Sequence, residues 1–318
     1  MRVLVTGAAG FIGSTTAELL LELGHEVVAL DNLVRGHRDN VPTGARFVQG
    51  DCGDGDLIRS LGAFEACLHF AGRIEPAESM QRPETFFANN VGQSLAMFEA
   101  LIDSGTTKVV FSSSCAVYGN QTVMPIDESC ETKPESPYGQ SKLMVEQALH
   151  WLAVQERLRF AALRYFNAAG GTPTHPERHN PEIHLIPLAL DAALGRREAL
   201  SVFGTDYSTR DGTCVRDYVH VLDLARAHVQ AIEALNTRNE LIINLGTGVG
   251  SSVREVIDSV QRVSGLVVPT RFDERRAGDP AQAVASKILA IEMLGWRPER
   301  SYLDDIVADA WMALVPRD

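Results

Sequence analysis

Tyr138 and Lys142 lie four residues apart in Tyr138-Gly-Gln-Ser-Lys142, at the start of a helical pattern. On a helix that spacing puts both side chains on one face. A free phenol titrates near pH ~10, too high for a base at neutral pH, but a neighbouring ammonium favours the phenolate and lowers that value. A tyrosine so placed can take a proton from an alcohol and return it. Ser112-Ser113-Ser114 close a strand-like run. The ends of strands are where open α/β sheets bind ligands, and a hydroxyl there can bridge a tyrosine and its substrate. Taken alone, the tyrosine–lysine spacing also fits an ordinary amphipathic helix start.

What lifts it above that is the N-terminus, Val3-Leu4-Val5-Thr6-Gly7-Ala8-Ala9-Gly10-Phe11-Ile12-Gly13. It reads as strand, glycine turn and helix. The glycines allow a tight turn, let backbone approach a pyrophosphate and let the helix pack against the sheet, and the helix start offers free N–H groups to the phosphates. The spacing G-x-x-G-x-x-G differs from the commoner G-x-G-x-x-G, but the strand–turn–helix context is the one a dinucleotide loop requires. Asp31 ends the second strand-like run, about eighteen residues after Gly13. A carboxylate there accepts from both adenosine ribose hydroxyls and repels a 2′-phosphate, so NAD is expected rather than NADP. The positive charge of an oxidised nicotinamide would further favour the Tyr138 phenolate.

The elements that must position these groups follow from periodicity. Near-continuous apolar runs at 2–6, 27–31, 47–50, 67–72, 108–113 and 160–166 alternate with helical patterns at 11–23, 85–103 and 138–155. That alternation predicts an α/β fold, a Rossmann-like doubly wound parallel sheet covered on both faces. A late run at 241–245 is expected to rejoin it. Residues 168–214 hold Pro173, Pro176, Pro181 and Pro187 and read as loops with one helix near 185–194, and further helices follow Ser252. The expected division is an NAD-binding domain of residues 1–167 plus 215–246 and a smaller α/β C-terminal cap of 168–214 plus 247–318 that binds substrate.

Composition sets the outer bounds. The 318 residues are 45% hydrophobic, enough for a real core in one large or two modest domains. A formal net charge of −12, with no basic stripe, excludes a nucleic-acid binder. An anionic ligand then needs locally placed arginines or helix N-termini. Cys52, Cys67, Cys115, Cys130 and Cys214 are scattered, odd in number and contain no C-x-x-C pair, which argues against disulfides and structural zinc. No run approaches the ~20 apolar residues of a membrane span. The reading is a soluble, cytoplasmic protein without a membrane partner.

The segments Thr6–Gly13, Asp31-Asn-Leu33, Gly50-Asp51, His69-Phe-Ala-Gly72, Asn89-Asn-Val91, Ser112-Ser-Ser114, Val117-Tyr-Gly119 and Ser136–Lys142 together resemble the extended short-chain dehydrogenase/reductases. Leu163-Arg-Tyr-Phe-Asn-Ala-Ala-Gly170, Asp211-Gly-Thr-Cys-Val-Arg-Asp-Tyr-Val-His220 and Arg275-Arg-Ala-Gly-Asp279 narrow the resemblance to the UDP-galactose 4-epimerase family. The match runs from Val3 to about Trp296. The resemblance implies reversible, NAD-dependent C4 epimerisation of UDP-glucose and UDP-galactose. It makes Ser114, Tyr138 and Lys142 the catalytic residues. NAD contacts would fall on Gly7, Gly10, Phe11, Ile12, Gly13, Asp31, Asn32, Asp51, Cys52, Phe70, Ala71, Gly72, Asn89 and Phe166, besides the catalytic three. UDP-sugar contacts would fall on Asn167, His184, Leu185, Ser201, Phe203, Arg216, Tyr218, Val253, Arg276 and Asp279. Arg216 and Arg276 would supply the charge that a diphosphate needs.

The resemblance also implies a homodimer through helices 85–103 and 138–155, with Phe86, Phe87, Leu95, Phe98, Met144 and Leu149 as candidate contacts, though core packing is the simpler role for them. Ala283 falls where family members carry either a bulky tyrosine or a small residue, so UDP-GlcNAc and UDP-GalNAc become possible substrates. Two residues depart from relatives: Ile74 replaces a basic residue seen in many, and His184 an asparagine seen in some. A 4,6-dehydratase would carry an Asp-Glu pair where this chain has Cys115-Ala116, which disfavours that reading. Epimerisation of UDP-glucuronate or a UDP-pentose stays open, as does a catalytically silent NAD-binding protein. Cys115 reads as a small buried side chain rather than a nucleophile. His175, His179 and His184 invite a metal reading, but Pro176 and Pro181 break the segment, so a polar loop without metal is expected.

Overall fold

The computed structural model describes residues 1–276 and 278–314. Seven strands form the central sheet: β1 (Arg2–Thr6), β2 (Glu26–Asp31), β3 (Arg46–Gln49), β4 (Ala66–His69), β5 (Lys108–Ser114), β6 (Arg159–Tyr165) and β7 (Glu240–Leu245). All pairs are parallel, in the order β7-β6-β5-β4-β1-β2-β3. The chain thus winds outward from β1 in both directions, and the crevice beyond β1 and β4 is where such sheets bind ligands.

Strand periodicity sorts the core into two layers. Val3 and Val5 point to one face, with Leu20 of the Phe11–Glu22 helix and Leu224 and Ile232 of the Val221–Ala234 helix. Leu4 points to the other, with Phe98 and Leu101 of the Ser94–Asp103 helix and Leu149 of the Pro137–Val154 helix. The Val221–Ala234 helix is absent from the sequence reading, although its apolar positions repeat at helical spacing.

Two expected elements differ. The 67–72 strand stops at His69, and Phe70-Ala71-Gly72 continues as irregular backbone beyond its carboxyl end. The 85–103 helix is three pieces: Pro83–Phe86, a π-helical turn at Phe87–Gln93, and Ser94–Asp103. The wider turn, a feature common at functional sites, carries Asn90. Its amide donates to Arg73 O and to Ser141 Oγ, both at 3.0 Å. Of the expected dimer contacts, Phe86, Phe98 and Leu149 are buried within the chain and Phe87 packs against the same core; Leu95 and Met144 remain exposed.

A second core joins Ile186 and Leu190 of the Leu185–Ala193 helix to Val256 and Val260 of the Val253–Ser264 helix and to Ile306 and Val307 of the Leu303–Leu314 helix. The Val253–Ser264 helix starts at a capping box, in which Ser252 and Glu255 satisfy each other's backbone N–H. Short parallel and antiparallel pairings tie this region together, including Val215–Arg216 between Ser251–Ser252 and Gln282–Ala283. Trp296 instead packs in the first core, its indole donating to Asp223 O at 2.8 Å. Among the described residues, no helix is long and apolar enough to cross a membrane.

Candidate active site

A cavity of about 550 Å³ opens at the carboxyl ends of β1, β2, β4 and β5. Its floor is the glycine turn. Gly7 has φ +69°, and a Cβ there would meet Ala71 N at 2.6 Å; one on Gly13 would meet Gly7 O at 2.2 Å. No side chain caps the helix that follows Gly10, so its first N–H groups face the cavity unshielded. Asp31, buried at the tip of β2, accepts from Ala9 N at 3.0 Å and Leu33 N at 2.8 Å, which fixes its carboxylate on the cavity wall. Backbone approach without Cβ atoms, an uncapped helix start and an acceptor carboxylate at the far end fit a dinucleotide.

The other expected cofactor residues mostly converge here. Phe11, Ile12, Asn32, Cys52, Phe70, Ala71, Gly72, Asn89 and Phe166 line the cavity. Asp51 does not. It is exposed and accepts from Asn32 Nδ2 at 2.6 Å, so it orients Asn32 from outside.

Ser114, Tyr138 and Lys142 meet on one wall. Ser136 caps the Pro137–Val154 helix by accepting from Gly139 N at 3.2 Å, and Pro137 presets its first turn, so the helix begins with Tyr138 facing β5. Ser141 Oγ, itself held by Asn90, donates to Tyr138 O at 2.7 Å. Burial pushes the Tyr138 phenol up to about 12, and its hydrogen bond with Ser114 opposes that. This corrects the expectation that the lysine brings the phenol down: in the protein alone, desolvation wins. Lys142 donates to Ser112 O at 2.8 Å, and burial lowers its ammonium to about 8 against the raising effect of Glu146. Cys115 is pushed up to about 11 by burial, in keeping with an unreactive thiol.

Asn167 and His184 of the expected substrate set also line the cavity; Leu185, Ser201, Phe203, Arg216, Tyr218, Val253, Arg276, Asp279 and Ala283 lie outside its wall. Several of these gather in a second group. Arg216 pairs with Asp279, and the Arg276 guanidinium stacks 3.9 Å from the centre of the Phe203 ring. Ala283 pairs in register with Arg216 and packs on a cluster containing Cys115 and Phe166. Ser201 Oγ accepts from Arg271 at 2.9 Å, Tyr218 pairs with Asn167, and Val253 is buried at its helix start. The two arginines expected to be free for a diphosphate are therefore engaged, one by a carboxylate and one by an aromatic face.

Three features were not foreseen. The Arg164 guanidinium forks onto buried Glu146, one helical turn after Lys142, with Nε to Oε1 at 2.9 Å and Nη2 to Oε2 at 2.5 Å. Asp217, inside the quoted Asp211–His220 segment, accepts from Thr247 N at 2.9 Å, Thr247 Oγ1 at 2.6 Å and Ala285 N at 3.1 Å, which ties β7's exit to the cap. Loop 177–184 reaches back over loop 35–40: His37 Nε2 bonds Arg178 O at 2.9 Å and Arg35 Nη1 donates to Asn180 O at 2.7 Å. The three histidines His175, His179 and His184 do not come together as a set. His175 pairs with Glu18, at 3.0 Å, while Glu177 and Glu182 join His179 and His184.

Residues 3–246 match the NAD dependent epimerase/dehydratase family. The chain is 47% identical over 314 residues to a UDP-glucose 4-epimerase of Streptomyces lividans, covering 98% of this chain and 95% of the relative. Two solved structures superpose over 98% of it and 97% of their own chains. One is UDP-glucose 4-epimerase from Brucella ovis in complex with NAD, 45% identical at a TM-score of 0.95. The other is UDP-glucose-4-epimerase from Stenotrophomonas maltophila with bound NAD and formylated UDP-arabinopyranose, 40% identical at a TM-score of 0.95.

Proposed function

The chain belongs to the NAD dependent epimerase/dehydratase family, and from that premise we propose that it interconverts UDP-glucose and UDP-galactose by inverting C4 through a transient 4-keto sugar. The observation that carries this is Tyr138, hydrogen-bonded to Ser114 and backed by Lys142, on the wall of a dinucleotide cavity. The chemistry supplied by NAD when bound is acceptance of the C4 hydride and its return, with no net redox change. Gly7, Gly10 and Gly13 would hold its pyrophosphate and Asp31 its adenosine ribose.

Tyr138 removes the 4-hydroxyl proton, directly or through Ser114, and returns it in the reverse step. Lys142 holds positive charge behind the phenol and, through Ser112 O, keeps β5 and the catalytic helix in register. Asn167 and His184 line the same cavity as the catalytic wall and would meet the sugar diphosphate. Arg216 and Arg276 would turn from Asp279 and Phe203 to phosphate oxygens, which a guanidinium can bind through charge-assisted, bidentate hydrogen bonds. Leu185, Ser201, Tyr218 and Val253 would enclose the uridine end. In this reading residues 1–167 plus 215–246 serve the cofactor, and 168–214 with 247–318 serve the sugar nucleotide.

The small Ala283 leaves room beside the sugar C2 substituent, so the reading extends to UDP-GlcNAc and UDP-GalNAc. Exposed Leu95 and Met144 on the two helices that flank the sheet support a homodimer. Purified protein given UDP-galactose should form UDP-glucose without stoichiometric added NAD. Absence of interconversion by NMR would overturn the proposal.

A further inference from the structure

One group of histidine and carboxylate side chains among the described residues comes close enough to hold a metal ion: Glu177, His179, Glu182 and His184. All four come from a single short loop, and each offers one ligand atom within 4.8 Å of the others. The sequence spacing alone does not bring them together, since Pro181 prevents a helix. The loop's own path does.

Two carboxylates and two imidazoles crowd together there. His184 Nδ1 lies 2.9 Å from both Glu177 Oε1 and Glu182 Oε1. A ring nitrogen carries at most one hydrogen, so two carboxylates share a single donor. His179 Nδ1 is buried and faces Glu177 Oε1 at 3.5 Å, too far for a good hydrogen bond. The Glu177 side chain is 6% exposed, and a carboxylate so buried needs a cationic partner, which either a protonated His184 or a metal ion would supply. Glu182 Oε1 accepts from the N–H groups of Ile183 and His184, at 2.8 and 2.9 Å, which fixes this carboxylate within the cluster.

We propose that this loop binds one divalent ion of the zinc class through Glu177, His179, Glu182 and His184. Tetrahedral zinc with bonds of about 2.0–2.1 Å places neighbouring ligand atoms about 3.3 Å apart. Three of the six pairs of ligand atoms lie at 2.9, 2.9 and 3.5 Å and all six within 4.8 Å, close enough for modest movement to gather them around one ion. Imidazole with carboxylate suits zinc better than the all-oxygen preference of calcium or magnesium. Four protein ligands leave no open position, so the ion is structural. Because the loop also bonds His37 and Arg35, the ion stiffens the loop where it reaches over residues 35–40. The site stands on the loop's geometry and does not depend on the epimerase reading.

The test uses the full-length chain with its NAD, stripped with a chelator and returned to metal-free buffer. Zinc chloride titrated by calorimetry, with elemental analysis after desalting, should give one zinc per chain and a higher melting temperature. Glu182→Gln and His179→Ala should keep NAD, which reports folding, and weaken zinc at least about 10-fold. Absence of stoichiometric zinc in folded wild type overturns the site and leaves a proton-bridged cluster. Unchanged zinc affinity in both folded variants overturns it equally, since the ion then lies elsewhere.

Discussion

The ammonium of Lys142 donates to the Ser112 carbonyl at 2.8 Å while lying 6.0 Å from the centre of the Tyr138 ring. The lysine is thus a clamp between the catalytic helix and the strand end that carries Ser114, and at that distance its charge does not offset the burial of the phenol. A buried phenol at about 12 needs further positive charge, such as that of an oxidised nicotinamide, before it can act as a base.

Tyr138→Phe keeps the ring and removes the proton carrier. Folding and NAD binding should persist while turnover falls about 10²–10⁴-fold, the usual contribution of a general acid–base group. Steady-state kinetics with UDP-galactose check this, and near-normal turnover would move the base to another residue.

Glu146→Gln leaves the Arg164 guanidinium buried without its counter-charge, both side chains being at most 5% exposed. Breaking one partner of such a pair typically costs about 3–5 kcal/mol. Urea unfolding should show a loss of that order, and replacing Arg164 by Met in the same chain should recover part of it. A loss below about 1 kcal/mol would mean that water and Tyr118 suffice to solvate the arginine.

His69 and His228 are held neutral by burial, lowered from 6.5 to about 3 and about 4. Unfolded histidines take up protons as pH drops below about 6.5 while the folded rings do not, so stability is full above that value and falls as pH falls toward 4. His228→Phe removes one such proton. Its unfolding free energy between pH 6 and 4 should slope less steeply by about 1.4 kcal/mol per pH unit. An identical slope would show that His228 is charged in the fold.

Ala283→Tyr places a ring beside Arg216 and the cluster that holds Phe166. Wild type is expected to process UDP-GalNAc alongside UDP-galactose, and the variant to lose kcat/KM for the N-acetylated sugar alone. Should both sugars respond equally, the pocket is bounded by other residues.

Light scattering at micromolar concentration should give twice the chain mass. Leu95→Asp, which leaves the core untouched, should shift the population toward monomer. A wild-type monomer counts against the homodimer.

Much of this was readable in the chain because it is local. A strand, a glycine turn and a helix occupy Val3–Gly13 in one continuous segment, so backbone geometry alone fixes the cofactor floor. Tyr138 and Lys142 share a helix face by spacing, and alternation of Val3, Leu4 and Val5 sorts the two core layers. Long-range choices were hidden. Arg216 finds Asp279 across 63 residues and Ser112 receives Lys142 across 30, and no pattern at either position specifies the partner. Thr85–Asp103 read as one helix because its apolar spacing is helical, yet Asn90 bonds outward to Arg73 and Ser141 from a wider turn. The phenol of Tyr138 rises rather than falls because burial depends on everything packed around it. Periodicity and turn chemistry act between near neighbours and are written in the sequence; desolvation and ion pairing sum over groups that only the folded chain brings together.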